Sequence, residues 1–143
     1  AASDVYKRQV TYFGYGPIES YPDKHHDAKL GLYTSDVDSL HEDYLRPQEN
    51  GSHWNCSGLA LTTSDYRSLL ISGTQNFSFN ASRYTQEELT TKAHSFELEK
   101  SPYTVLCLDG YMSGCGSNSC GPALAKKYRV DQDKLTFTFT LNF

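Results

Sequence analysis

The chain has 143 residues, of which 38% are hydrophobic and 21% are charged, and its formal net charge is -4. This size suits one domain or part of one. The charge argues against a nucleic-acid-binding protein, because phosphate contacts need clustered Lys and Arg. No apolar run approaches the ~20 residues of a membrane-spanning helix. We therefore expect a protein that binds neither nucleic acid nor membrane.

The first nine residues are interpreted as foreign to the rest of the chain. Residues 4–9 read Asp-Val-Tyr-Lys-Arg-Gln, which is the in-frame translation of a common transposase sequencing adapter. We treat residues 1–9 as an assembly artefact and exclude them from fold reasoning. The remaining residues, 10–143, would then begin inside a domain.

The next part of the chain predicts two strands joined by a polar loop. Residues 10–15 are rich in β-forming side chains, and Gly and Pro residues end the strand. Residues 30–33 predict a second, short strand. Residues 36–44 are ambiguous, because their apolar side chains have helical spacing. Residues 46–51 predict a tight turn, since an Asn-Gly pair readily adopts positive φ.

The middle of the chain predicts a hairpin, a further strand and a helix. Residues 58–62 and 66–72 are two strands around a turn at 63–65, and residues 76–80 alternate as a third strand, with two Phe side chains on one face.

The predicted helix begins after Thr85, a favourable N-cap. Glu88, three residues later, completes a capping box. Leu89 and Ala93 would form the inner face of this helix. Residues 95–98 and 103–108 then predict strands.

The end of the chain has the clearest strand pattern. Five apolar side chains alternate with Thr and Asn over residues 135–143, and a period of two predicts a half-buried strand with one apolar face. Many short strands, one short helix and Gly/Pro turns together predict an all-β fold, an antiparallel β-sandwich.

The four cysteines are Cys56, Cys107, Cys115 and Cys120. Their spacing does not match that of zinc ligands. Cys107 lies in an apolar strand and is interpreted as a small buried side chain. We favour four free thiols, with a Cys115–Cys120 disulfide as the alternative.

No catalytic or metal-binding set stands out. His25-His26-Asp27 resembles a metal cluster, but adjacent loop residues rarely converge on one ion. An acidic run at residues 36–43 lacks the spacing of a calcium loop. A glycosidase needs two carboxyl groups across the scissile bond, and none of the 17 Asp and Glu residues lies at an apolar strand end that would raise its pKa. The residues alone therefore predict a non-catalytic β domain without a metal site.

Two loops are chemically richer than the rest. Residues 14–24 combine tight-turn residues with Glu, Asp, Lys and two Tyr, which suits either a sugar-contacting loop or a turn held by a carboxylate. Residues 114–122 contain three Gly, which permit close backbone approach, and polar side chains that can bond sugar hydroxyls.

Four stretches in order resemble one family. Residues 14–24 read Gly-Tyr-Gly-Pro-Ile-Glu-Ser-Tyr-Pro-Asp-Lys, and residues 44–51 read Tyr-Leu-Arg-Pro-Gln-Glu-Asn-Gly. Residues 77–98 are similar to a strand–helix–strand, and residues 108–122 are similar to a last Gly-rich signature. Together they resemble the C-terminal half of the small-chain domain of glycoside hydrolase family 2 β-galactosidases.

The resemblance implies a supersandwich (galactose mutarotase-like) domain and a catalytic TIM barrel in the same polypeptide. It implies hydrolysis of terminal β-D-galactosides with retention by two Glu residues outside this chain. For the full enzyme it also implies Mg²⁺ and possible Na⁺ as cofactors, a homo-oligomer, and a bacterial cytoplasmic location.

The resemblance also implies that the loop at residues 114–122 reaches the substrate. Relatives place a stacking Trp where this chain has Cys120, which has no aromatic face. The expected substrate-binding residues are therefore Asn118, Ser119 and Cys120, with polar contacts from the first two.

Three hypotheses follow. The chain is an accessory domain of a β-galactosidase, a stand-alone carbohydrate-binding module without hydrolase activity, or a purely structural or subunit-contact domain.

Overall fold

The structure is a computed structural model, and it describes residues 8–116 and 121–143. Six strands dominate it: β1 (Gln9–Gly16), β2 (Lys29–Asp36), β3 (Ser52–Thr62), β4 (Ser68–Ser82), β5 (Val105–Asp109) and β6 (Phe139–Asn142). The helical elements are α1 (Gln86–Thr91) and three 3-10 turns at Val37–Leu40, Ser95–Glu97 and Lys126–Tyr128. The prediction of an all-β fold with one short helix is confirmed.

All strand pairs are antiparallel, and the strands form one sheet in the order β2-β1-β3-β4-β5, with β6 also paired to β4. The strand β4 is long enough to hold two strands along one edge. Residues 70–73 pair with β6, and residues 78–82 pair with β5. The described residues thus provide one layer of a sandwich-type domain.

One face of the sheet carries the core. Along β1, Val10 and Tyr12 are buried, whereas Phe13 is exposed, because successive side chains of a strand point to opposite faces. Leu59 of β3 and Ile71 of β4 pair with each other and extend the buried face.

The predicted hairpin at residues 58–72 is confirmed as β3 and β4, but β4 differs in length from the prediction. The predicted strands at residues 66–72 and 76–80 are parts of one continuous strand. Phe77 and Phe79 are both buried on it, as predicted. Tyr66 belongs to the turn and has a φ of 60°.

The N-cap of α1 is confirmed and the capping box is half formed. Thr85 Oγ1 accepts from the Glu88 N–H at 3.1 Å. In a capping box the Glu88 carboxylate would accept from the Thr85 N–H. Here it accepts instead from the Glu99 N–H at 2.9 Å, a contact with a distant residue. Leu89 is buried, as predicted, whereas Ala93 lies beyond the helix and is exposed.

The strand predicted at residues 95–98 is wrong. Ser95–Glu97 is a 3-10 turn. The Glu97 carboxylate accepts from the backbone N–H groups of Ala93 and His94 at 3.0 and 2.9 Å. Local bonds of this kind favour a turn over a sheet ladder.

The final strand is shorter and more exposed than predicted. Only Phe139–Asn142 pairs with β4. Phe137 and Phe139 pack against the core, but Phe143 is fully exposed at 101%. Alternation predicts which side chains share a face, whereas their burial requires a second layer.

Within the described residues, no helix is long and apolar enough to cross a membrane.

Candidate functional site

The loop at residues 14–24 is tied to the sheet at one buried serine. The Ser20 N–H donates to the Ser52 carbonyl of β3 at 2.7 Å. The Ser20 hydroxyl accepts from the Trp54 N–H at 2.9 Å and donates to the Tyr15 carbonyl at 3.2 Å. These bonds fix the loop against the ends of β1 and β3.

The tip of this loop is a tight turn. The backbones of Tyr21 and Lys24 exchange two hydrogen bonds, of 2.8 and 3.0 Å. Asp23 therefore lies at the tip, with its carboxylate available to other parts of the chain.

Glu19 is the buried carboxylate of this loop, with 7% of its surface exposed. Its two oxygens accept hydrogen bonds from groups that lie in residues 14–24 and in residues 44–51. The donors are the Gly51 N–H (2.9 Å), Lys24 Nζ (2.5 Å), the Tyr21 hydroxyl (3.4 Å) and the Tyr44 hydroxyl. Glu19 therefore joins residues 14–24 to residues 44–51, the first two signature stretches.

The environment of Glu19 keeps it ionised. Burial alone would raise its pKa, but the bonds from Lys24, Tyr44 and Gly51 outweigh burial and hold the pKa of Glu19 below its ordinary value. The same contact with Glu19 raises the pKa of the Lys24 ammonium. An ionised carboxylate cannot donate a proton, so Glu19 is not suited to general acid catalysis.

Gly51 must be a glycine for this arrangement. Its φ is 69°, and a Cβ there would lie 2.2 Å from the Leu40 carbonyl oxygen. Positive φ at the Asn-Gly turn was expected from the sequence. The close approach to Leu40 and the bond to Glu19 were not expected from the sequence, because both partners are distant along the chain.

Asp23 joins the first signature stretch to the last one. Its Oδ1 accepts from the Cys115 N–H and its Oδ2 from the Gly116 N–H, each at 2.9 Å. Gly114 has a φ of 89° and approaches the same carboxylate closely. The Asp23 carboxylate thus fixes the first residues of the loop at residues 114–122.

An aromatic cluster lies beside these loops. Tyr15 and Trp54 are stacked with ring centroids 5.1 Å apart, and His25 lies 4.4 Å from Trp54 and 5.1 Å from His26. Asn55, which follows Trp54, has a φ of 58° at an irregular part of β3. The pair His25-His26, considered above for metal binding, is thus part of an aromatic surface.

Behind the loops, a buried histidine adjoins the core. His53 is 1% exposed, and its Nδ1 lies 2.9 Å from the Tyr12 hydroxyl and 3.2 Å from the Tyr15 carbonyl. Burial lowers the pKa of His53 to about 4. The side chain is therefore neutral at pH 7.

Asp109 is a carboxyl group that the sequence analysis did not single out. It ends the apolar strand β5, and burial, followed by the charge of Glu49, raises its pKa. This corrects the expectation that no carboxyl group would have such a context. Among the residues that line the neighbouring cavity, Asp109 is the one carboxyl group, whereas a glycosidase needs two across the scissile bond. Asp109 therefore does not form a glycosidase site here.

The expected substrate-binding residues Asn118, Ser119 and Cys120 lie outside the described residues. Cys115 is a free, exposed thiol, and burial of its sulfur together with the Asp23 charge raises its pKa to about 11. Cys56 is free and buried, and Cys107 is free and half-buried. The predicted alternative, a Cys115–Cys120 disulfide, involves Cys120 and so lies outside the described residues.

In the described ranges 8–116 and 121–143, no group of three or more His, Cys, Asp and Glu side chains could hold a metal ion.

The fold and the loops define an all-β domain whose signature carboxylates, Glu19 and Asp23, hold loops together. The chain belongs to the β-galactosidase small chain family, whose family model matches residues 3–141. The match includes residues 3–9, and the assignment of residues 1–9 to an artefact stays a prediction. In the structure, Gln9 is the first residue of β1.

Three relatives illustrate the similarity. A β-galactosidase of Actinobacillus pleuropneumoniae is 52% identical over 134 residues, which cover 94% of this chain and 13% of the relative. β-Galactosidases of Staphylococcus xylosus and Oenococcus oeni are 37% and 34% identical over 94% and 91% of this chain. The chain spans only 12–14% of the length of these relatives.

Proposed function

We propose that this chain is an accessory part of a β-galactosidase that hydrolyses terminal non-reducing β-D-galactosides with retention. The two catalytic Glu residues would lie outside the chain, in a TIM-barrel domain of the same polypeptide. The observation that carries the proposal is the set of hydrogen bonds that Glu19 accepts. The buried carboxylate of the first signature stretch accepts several structural hydrogen bonds, so it holds loops instead of performing proton transfer.

The remaining carboxyl groups support the same proposal. Asp109 has a raised pKa, but no second carboxyl group is among the residues that line the cavity beside it. Mg²⁺ and Na⁺, which the family resemblance suggests for the full enzyme, would be bound by residues of other domains, and the full enzyme would form a homo-oligomer.

Nitrophenyl β-galactoside hydrolysis tests this proposal. The purified chain should show no turnover, whereas the full-length enzyme that contains it should be active. Product formation by the purified chain above the level of a protein-free blank would be reason to abandon the accessory role.

The loop at residues 114–122 is proposed to contribute to substrate binding through Asn118 and Ser119, with Cys120 in the place of an aromatic side chain. Replacing these three residues by Ala in the full-length enzyme should raise KM. An unchanged KM would instead favour a purely structural or subunit-contact domain.

A stand-alone carbohydrate-binding module is the second candidate, and the aromatic cluster favours it. The Tyr15, Trp54 and His25 rings pack on one another and are half-buried, which leaves part of their apolar area available to a sugar ring. Titration of the purified chain with galactose and lactose, followed by Trp fluorescence, tests it. Saturable binding that is lost in Trp54→Ala would support this second function, and a flat titration would reject it.

A further inference from the structure

We propose that Asp23 is a positioning residue for substrate binding in the full-length enzyme. Its carboxylate fixes the backbone of Cys115 and Gly116, where the loop at residues 114–122 begins. This inference rests on the proposed function, in which that loop contacts the galactoside. Asp23 would act through the loop, without touching the substrate.

The contact between Asp23 and the loop has two bonds. Each carboxylate oxygen accepts from a different N–H group, of Cys115 and of Gly116, at 2.9 Å. The two N–H groups belong to successive residues, so a carboxylate can bond both and fix the local direction of the chain. Bonds from N–H groups to a charged carboxylate are stronger than those between neutral groups.

Gly114 makes the close approach possible. A Cβ on this residue would lie 2.1 Å from the Asp23 Oδ1 and 2.5 Å from its Cγ. Gly116 also has positive φ, of 72°, but a Cβ there would meet nothing within 4 Å. The chain therefore has a glycine where the carboxylate must come close, and a second glycine with open space that serves as a comparison.

Asp23 is itself held rigidly. The reciprocal backbone bonds between Tyr21 and Lys24 close the turn on both sides of it. Lys24 is bonded to Glu19, and the neighbouring Ser20 is bonded to β3. A continuous set of short bonds thus connects the sheet to the carboxylate, so Asp23 can transmit the position of the sheet to the loop.

The loop has few other attachments on the side that precedes residue 117. The Ser113 hydroxyl accepts from the Val130 N–H at 3.0 Å, and the Ser52 hydroxyl has a weak contact of 3.9 Å with Met112 Sδ. Among the described residues before position 117, the last polar contact in the chain direction is the pair of bonds to Asp23. Loss of these bonds should change the loop while leaving the sheet in place.

The test uses Asp23→Asn in the full-length enzyme. Asparagine keeps one acceptor oxygen and places an NH2 group against an N–H donor, so one bond is replaced by repulsion. We expect KM for nitrophenyl β-galactoside to rise by roughly 10-fold with kcat changed less than about twofold, since small displacements of positioning groups weaken binding on this scale. A purely structural defect would reduce the amount of active enzyme and leave KM unchanged.

Asp65→Asn is the matched control. The Asp65 carboxylate also accepts two hydrogen bonds, but from the nearby side chains of Thr63 and Arg67 in the exposed turn between β3 and β4. This variant should have the KM of the unmodified enzyme. An unchanged KM in Asp23→Asn, or an equal rise in both variants, would overturn the inference.

A double-mutant cycle shows whether Asp23 acts through the loop. Asp23→Asn is combined with the Ala substitutions of Asn118, Ser119 and Cys120. Residues that act through one another give effects that do not add, so the combined variant should have the KM of the more impaired parent. If the KM increases of the two parents instead multiplied in the combined variant, this would contradict the inference while leaving the proposed function intact. A loop variant with unchanged KM would count against the proposed function as well.

The two glycines provide an independent test. Gly114→Ala should raise KM as Asp23→Asn does, because the new methyl group displaces the carboxylate. Gly116→Ala has the same change of side chain and a similar positive φ, but it meets open space, so its KM should rise clearly less. Equal KM values for the two variants would show that the Asp23 contact does not set the loop.

Discussion

The two ends of the sheet are built in different ways. At the loop end, where β1 ends and β3 begins, polar side chains hold the chain together. Glu19, Ser20 and Asp23 each bond backbone groups of other segments. At the opposite hairpin end, Leu61, Leu69 and Phe143 line an open apolar cavity of about 450 Å³, so this end exposes apolar surface.

The difference shows which part of the domain is complete within this chain. At the loop end, the carboxylates of Glu19 and Asp23 and the hydroxyl of Ser20 find their hydrogen-bond partners within this chain, as most buried polar groups of native proteins do. The hairpin end carries side chains that gain free energy only when another layer covers them. The loop geometry is therefore fixed by contacts within this chain, whereas the hairpin end leaves apolar side chains uncovered.

The largest expected effect is on the core next to the loop end. Phe79 is fully buried against Tyr12 and His53, so Phe79→Ala should cost about 4 kcal/mol through lost contacts and a cavity. Hydrogen exchange of β3 and β4 in the full-length enzyme measures this. Phe96→Ala, at a side chain that is 85% exposed, should change local stability by less than about 0.5 kcal/mol. Similar losses in the two variants would refute the assigned core.

Glu19→Gln should have the next largest effect. It leaves Lys24 without its carboxylate and weakens the bonds from Gly51 and Tyr44, for a cost of about 2–3 kcal/mol. Hydrogen exchange should increase in peptides that contain residues 14–24 and 44–51 and much less at the hairpin end. Uniform loss of protection across the sheet would break the contrast between the two ends.

His53 should make the loop end sensitive to acid. Its pKa is about 4 in the folded state and about 6.5 when unfolded, so between these values the unfolded state binds more protons. Stability should then fall as pH falls, by up to ~1.4 kcal/mol per pH unit. Exchange of β3, corrected for intrinsic rates, should show this slope between pH 6.5 and 4.5. His53→Gln should flatten it, and an equal slope in both proteins would disprove the assignment.

The smallest effect on stability, but a visible one on solubility, is expected at the hairpin end. Exposed apolar side chains and unpaired edges template association, so the purified chain should aggregate. The double variant Leu69→Thr with Phe143→Ser should remain monomeric to higher concentration in size-exclusion chromatography. The same two changes, Leu45→Thr and Phe96→Ser, at exposed side chains that do not line this cavity, provide the matched control. A soluble, cooperatively melting monomer of the unmodified chain would contradict this prediction.

Elements that depend on neighbours in sequence were predictable. The alternation of β1, the hairpin of β3 and β4 and the Thr85 cap were read from adjacent residues and are present. The continuity of β4 was missed because Gly73 and polar neighbours suggested a break. The end of the chain was overestimated because alternation alone cannot show what covers a strand.

The contacts of the candidate site were less predictable. The sequence picked out both loops and their acidic residues, but it could not assign Glu19 to Gly51 or Asp23 to Gly116, which are 32 and 93 residues apart. Asp109 was missed because its raised pKa depends on burial and on Glu49, which no local pattern encodes.

By itself, the sequence determined an all-β chain with antiparallel strands, one capped helix, and signature loops that identify its family. These features follow from side-chain alternation, turn residues and local order. Only the tertiary structure decided the roles of the loop carboxylates, because a carboxylate acts according to the donors and the solvent around it. In the folded chain, Glu19 is buried among donors and joins two loops, and Asp23 holds a third.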